Sequence, residues 1–206
     1  MSVEAERRGS FERQTRETQV RVAVALGSEE APRVAVPDGF FGHMLTALGT
    51  HGRLGLEVEA AGDVEVDLHH TVEDVGIALG EALARALGER RGIARFAHAY
   101  APLDEALARA VVDLSGRGFF GYRAAAEVDR LWATQQFPVT LVADFFQAVA
   151  DRGRLTLHLE LFGARNGHHA AEAAFKAVAL ALRGAVALGA GGEEAGVPST
   201  KGTLTR

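Results

Sequence analysis

One stretch of this chain occurs twice, and that limits the folds open to it. G-R-L-G-L-E-V-E, from Gly52, and G-R-L-T-L-H-L-E, from Gly153, agree at five of eight positions. An internal repeat means two related units that bury their apolar faces together. Leu54, Leu56, Val58 and Ala60 alternate with other residues in the first copy, as do Leu155, Leu157, Leu159 and Leu161 in the second. Alternation of period two predicts a strand in each place. A-A-G-D then reads as a turn, and Val64, Val66 and Leu68 as a second strand. Val72, Val75, Leu79, Leu83 and Ala86 have helical spacing and predict a helix from about Thr71 to Leu87, ended by Gly88. The second copy has its counterpart from near His169 through Phe175, Val178, Leu182 and Val186. Another helix precedes each repeated strand, H-M-L-T-A-L-G-T-H-G or D-F-F-Q-A-V-A-D-R-G, which sets His43 opposite Asp144.

The fold class read from this is α+β, a tandem duplication of a small unit with one sheet and two helices on one face. The halves pair most simply about a pseudo-twofold axis. Residues 1–12 are expected to be flexible, 13–100 to form the first half, 101–188 the second, and 189–206 a flexible tail carrying P-S-T-K-G. With 206 residues, 48% hydrophobic and 24% charged, the chain can bury an ordinary core. Its net charge of −5 argues against nucleic acid as a partner. No apolar run is long enough to span a membrane, and the N-terminus lacks the apolar centre of a secretory signal, so a cytoplasmic protein is expected. There is no cysteine, so any metal must be held by nitrogen and oxygen.

Two histidine pairs sit at equivalent places in the repeat: D-L-H-H-T-V-E-D, with His69, His70 and Glu73, and G-H-H-A-A-E, with His168, His169 and Glu172. Neighbouring residues on a helix point about 100° apart, so adjacent histidines do not readily chelate one ion together. They suit two ions, or one ion here and one across an interface. A single H-H-x-x-E is usually a solvated helix start. Two copies in matching positions point to a related pair of metal sites of imidazole and carboxylate, suited to manganese, iron, zinc or nickel.

H-H-T-V-E-D-V-G-I-A-L-G, D-L-S-G-R, H-H-A-A-E-A-A-F-K-A and P-S-T-K-G follow one another between about Arg13 and Gly202. In that order they resemble the imidazoleglycerol-phosphate dehydratases of histidine biosynthesis. The resemblance implies a lyase that removes water from D-erythro-imidazole-glycerol phosphate to give imidazole-acetol phosphate. It further implies two manganese ions per site, an assembly of 24 identical chains with sites where subunits meet, and duplicated halves of a ribosomal-protein-domain type.

The same resemblance implies His43, His69, His70, Glu73, His168, His169 and Glu172 as metal ligands. Asp144 stands where relatives carry histidine or glutamate and is a possible eighth; the alternative is a helix cap for D-F-F-Q-A. Arg95, Arg117, Ser199, Thr200 and Lys201 match phosphate-binding positions, where an arginine fork and a lysine charge suit a phosphate monoester. His43, His51 and Lys176 fall in substrate-lining segments, though a helix-surface lysine is the ordinary alternative. Glu17 is the implied substrate-contacting acid and candidate base, with Glu73 and Glu172 also counted as catalytic; Asp104 and Glu105 are second candidates. His98 and His158 have no such support. Gly42 replaces an aspartate beside the ligating histidine and Gly118 a proline, departures that bear on ring orientation and loop stiffness.

Dehydration here is difficult because the departing hydrogen lies on a carbon with no adjacent carbonyl. The resemblance implies a route through the ring, by an imidazolate and then a diazafulvene, with the ions as Lewis acids and the phosphate grip fixing orientation. Two alternatives stay open on sequence: a catalytically impaired structural homologue, and a dinuclear phosphoesterase.

Overall fold

A computed structural model describes residues 7–204. The first sheet contains β1 (Arg8–Gln14), β2 (Thr18–Leu26), β3 (Arg33–Ala35) and β4 (Leu54–Gly62), in the order β1-β2-β4-β3. Helix α1 (Gly39–Gly52) connects β3 to β4, and α2 (His69–Leu87) follows β4. The second sheet repeats the plan with β5 (Phe96–Leu103), β6 (Ala106–Asp113), β7 (Phe119–Ala124) and β8 (Thr156–Gly163), in the order β5-β6-β8-β7. A short α3 (Ala126–Asp129) and then α4 (Thr140–Gly153) connect β7 to β8, and α5 (Gly167–Val186) follows. The duplication holds at single-residue register. Val58 lies between Val22 and Val34 as Leu159 lies between Ala110 and Tyr122.

The repeated Gly-Arg-Leu ends a helix in both halves. Arg53 and Arg154 take left-handed φ values of 49° and 50°, and their amides return to carbonyls of the last turns of α1 and α4. That reversal sends the chain straight into the central strand. Helix α2 covers β1 and β2 while α5 covers β5 and β6, and the halves meet through helices, α2 on α4 and α1 on α5. Close approach of α2 to α4 requires glycine: a Cβ at Gly76 would lie 2.7 Å from the Phe145 carbonyl oxygen, and one at Gly80 2.8 Å from that of Val149. Phe145, Phe146 and Phe175 stack beneath this crossing, so one apolar core serves both halves.

Four expectations are corrected. Val64–Leu68 is not a strand: the amides of Val66 and Asp67 bond back to the Asp63 carbonyl, Val66 is 70% exposed, and neither sheet pairs with the segment. Residues 8–12 are not flexible but belong to β1, paired with β2; residues 1–6 lie outside the described residues. Residues 96–100, assigned to the first half on sequence, start β5 of the second sheet. The tail is packed rather than loose. Ile93 bridges to Leu188, the Gly92 amide donates to Gly196, and Leu204 is buried. Among the described residues, no helix is long and apolar enough to cross a membrane.

Candidate metal and active site

The two helix crossings bring the repeated histidines to equivalent positions. Where α1 meets α5, His43 Nε2 lies 3.3 Å and His168 Nε2 3.0 Å from Glu172 Oε2. One donor atom from each of the three falls within 4.8 Å of the others, a tight nitrogen-and-oxygen set. His168 and Glu172 are one helical turn apart and so share a face. Lys176, a further turn along, puts Nζ 2.6 Å from Glu172 Oε1; it faces the cluster rather than solvent. Burial raises the Glu172 pKa, but hydrogen bonds from Lys176, His168 and His43 outweigh it and hold the group at about 2. Glu172 is a carboxylate at any working pH.

Where α2 meets α4 the twin appears. His69 Nδ1 is 3.4 Å from Asp144 Oδ2, so Asp144 reaches across a helix crossing as His43 does in the other half. The Asp144 side chain does not cap α4, whose N-cap is Val139. Glu73 lies one turn beyond His69 and is exposed. In this pair a carboxylate, Asp144, takes the place that the His43 imidazole has in the first, so it is the harder of the two.

The second histidine of each pair turns aside. The rings of His69 and His70 lie 6.3 Å apart at 77°, those of His168 and His169 6.1 Å apart at 87°, and in each pair the two rings meet different carboxylates, Asp144 and Asp63 in one and Glu172 and Glu105 in the other. His70 Nδ1 lies 3.3 Å from Asp63 and 3.9 Å from Glu17; the Asp63 hydrogen bond raises its pKa, against the effect of burial. His169 Nδ1 lies 2.8 Å from Glu105, and Asp104 stands 3.9 Å from its Nε2. The hydrogen bond to His169 and the Arg165 amide bring Glu105 down to about 2. A carboxylate accepting from Nδ1–H leaves Nε2 with a free lone pair, the tautomer a metal requires. Asp63 was missed on sequence, where G-D signalled only a turn.

The expected phosphate residues form a separate group. Arg95 grips Asp113 through two bonds of 2.7 and 3.2 Å and donates to the Pro198 carbonyl, beside Ser199. The Lys201 amide donates to Ser199 Oγ, closing a turn that includes Thr200, and Leu204 lies against Gly116, next to the exposed Arg117. This group sits at the far end of α5, since the Arg95 amide bonds to Ala185. Seventeen residues separate His168 from Ala185, roughly 26 Å of helix. One chain therefore does not bring the His43–His168–Glu172 cluster and the phosphate residues together.

Of the remaining candidates, His51 lies in the last turn of α1, about 12 Å along the helix from His43. His98 is exposed on β5, and His158 on β8 tilts against Phe119 at 5.5 Å. Gly42 leaves His43 to be oriented by Glu172 across the crossing. Gly118 does more than loosen a loop: a Cβ there would lie 2.8 Å from Asp151 Cα.

Residues 37–182 match the family model described as imidazoleglycerol-phosphate dehydratase. The imidazoleglycerol-phosphate dehydratase of Azorhizobium caulinodans is 48% identical over 96% of this chain and 98% of its own length. That of Halorhodospira halophila is 50% identical, covering 97% of this chain and all of the relative. The crystal structure of the Staphylococcus aureus enzyme superposes with a TM-score of 0.77 at 34% identity, over 88% of this chain and 99% of that one. The enzyme from Pyrococcus furiosus also gives 0.77, at 32% identity over 94% of this chain. With its duplicated fold and twin histidine clusters in register, this chain belongs to the imidazoleglycerol-phosphate dehydratases, hydro-lyases of histidine biosynthesis.

Proposed function

We propose that this protein dehydrates D-erythro-imidazole-glycerol phosphate to imidazole-acetol phosphate at a site holding two divalent cations, manganese by preference, built where copies of the chain meet. The observation that carries this is the His43–His168–Glu172 cluster with its counterpart at His69 and Asp144. The donors are imidazole and carboxylate without thiolate, a set that suits manganese. His43, His168 and Glu172 would hold one ion; His69, Asp144 and Glu73 the other. His70 and His169, braced by Asp63 and Glu105, are free to complete the coordination of a neighbouring copy's ions. Such ions, when bound, supply Lewis acidity toward the two nitrogens of an azole.

The chain's own groups do the rest. Arg95, Arg117 and the Ser199–Lys201 turn bind the phosphate and orient the three-carbon arm. The exposed Glu17 carboxylate, beside His70, takes the proton from the carbon next to the ring-bearing one. The long separation of cluster and phosphate residues within one chain supports a shared site, and with it a closed assembly, for which we propose 24 copies.

The test is purified protein with manganese and the imidazole phosphate. Appearance of the enolised ketone by absorbance supports the reading. Release of inorganic phosphate without ketone would instead favour a dinuclear phosphoesterase, and neither product would leave an inactive homologue.

A further inference from the structure

At one buried place the twin halves differ in charge. Asp74, on α2 and 6% exposed, accepts from Arg13 Nε of β1 at 2.6 Å and from the Thr18 hydroxyl of β2. In the second half the register that matches Arg13–Val20 to Ala101–Ala108 makes the three counterparts Ala101, Ala106 and Ala173, all buried. A helix thus packs on the same two strands by three alanines in one half and by a charged triad in the other. The fold itself does not need the triad, and a buried ion pair is often no more stabilising than apolar groups in its place.

What the triad reaches is the β1–β2 hairpin. Thr18 Oγ1 lies 3.1 Å from Thr15 Oγ1, which accepts the amides of Glu17 and Thr18 at 3.1 and 2.9 Å. The Glu17 carbonyl accepts the Asp63 amide at 3.1 Å, and the Asp63 carboxylate meets His70 on α2. The hairpin is therefore tied at both ends to the helix that carries His69, His70 and Glu73. In the second half the equivalent acid, Glu105, needs no such tether because it bonds His169 directly. Glu17 stands 3.9 Å from His70 and is 58% exposed, so its own contact cannot hold it.

We infer that Arg13, Asp74 and Thr18 are positioning residues that hold the Glu17 hairpin at a fixed distance from the metal-bearing helix. This rests on the reading of Glu17 as the proton-transferring acid. A group that must meet one carbon–hydrogen bond gains from being fixed, and a displacement of about 1 Å can cost about a hundredfold in rate.

The test gives the first half its twin's alanines, as the full-length triple variant R13A/T18A/D74A. The melting temperature should stay within about 5 °C of the parent. Deuterium exchange of the peptide containing Glu17 should quicken, while peptides of α2 stay protected. The kcat should fall about a hundredfold with KM little changed, and E17Q should fall as far. Adding the triple change to E17Q should cost nothing more, because both act through one carboxylate. Loss of the folded state, unchanged exchange at the hairpin, or losses that multiply in the combined variant would each overturn the inference. If the parent shows no dehydratase turnover the functional reading fails, and exchange at the hairpin alone then decides whether the triad is the tether.

Discussion

Lys176 and Glu172 form an ion pair 2.6 Å long, one helical turn apart, and the same carboxylate receives two histidines on its other oxygen. A surface lysine at this spacing would contribute little. This one faces inward and holds the carboxylate ionised. A carboxyl with a lowered native pKa adds stability that is complete above its unfolded value of 4.5 and disappears as pH falls toward about 2. Replacing Lys176 with Met should lower stability at pH 7 by about 1–3 kcal/mol, with the difference from the parent shrinking below pH 4.5. Thermal unfolding of the metal-free protein at a series of pH values measures this; a gap that grows on acidification would contradict it.

The pocket at Asp144 is richer in oxygen than its twin at His43. Asp144→His would make the two alike. Zinc and nickel should then bind at least about tenfold tighter at the second pocket, with manganese changed less, because softer ions favour imidazole. Calorimetric titration of the metal-free protein should resolve two unequal classes in the parent and nearly one in the variant.

Glu105 accepts from His169 Nδ1 and from the amides of Arg165 and Asn166. The Glu105→Gln variant keeps the volume but loses the charge that fixes the tautomer. Loss of such an outer partner typically costs 10- to 100-fold in metal affinity or activity, and about that loss is expected here. Normal manganese affinity, read by the spin resonance of free ion, would show that His169 needs no brace.

Gly76 lets α2 approach α4. An added methyl would meet the Phe145 carbonyl oxygen and Ala148 Cβ, at 2.7 and 3.0 Å. Gly76→Ala should destabilise by about 1–3 kcal/mol despite its better helix propensity, because the helices must move apart. Chemical denaturation checks the sign: a more stable variant would mean the crossing has slack.

The duplication could be read in the sequence because its signals are local. Alternating leucines, glycine punctuation and repeated histidines each act within a few residues. Val64–Leu68 misled for a complementary reason: alternation makes a strand only where a neighbour is vacant, and β4, which the segment follows, is already paired with β2 on one side and β3 on the other. The ligand types were equally plain, but their grouping was not. That His43 belongs with His168 and Glu172, and Asp144 with His69, follows from how the helices cross between halves. Asp63 beside His70, and Asp74 between two strands, depend on long-range approach that no spacing encodes. The packed tail was hidden by its glycines, which look like a linker although Arg95 fastens Pro198.

Helix α5 carries His168 in its first turn and meets Arg95 near its last. On the proposed reading of a site shared between copies, the substrate's ring and its phosphate are gripped by different molecules. Two crippled proteins, one lacking His168 and one lacking Lys201, should repair each other when dissociated and reassembled as a mixture, because some junctions then draw every intact part from opposite partners. Mixing that restores nothing would mean that ring and phosphate are gripped by the same molecule.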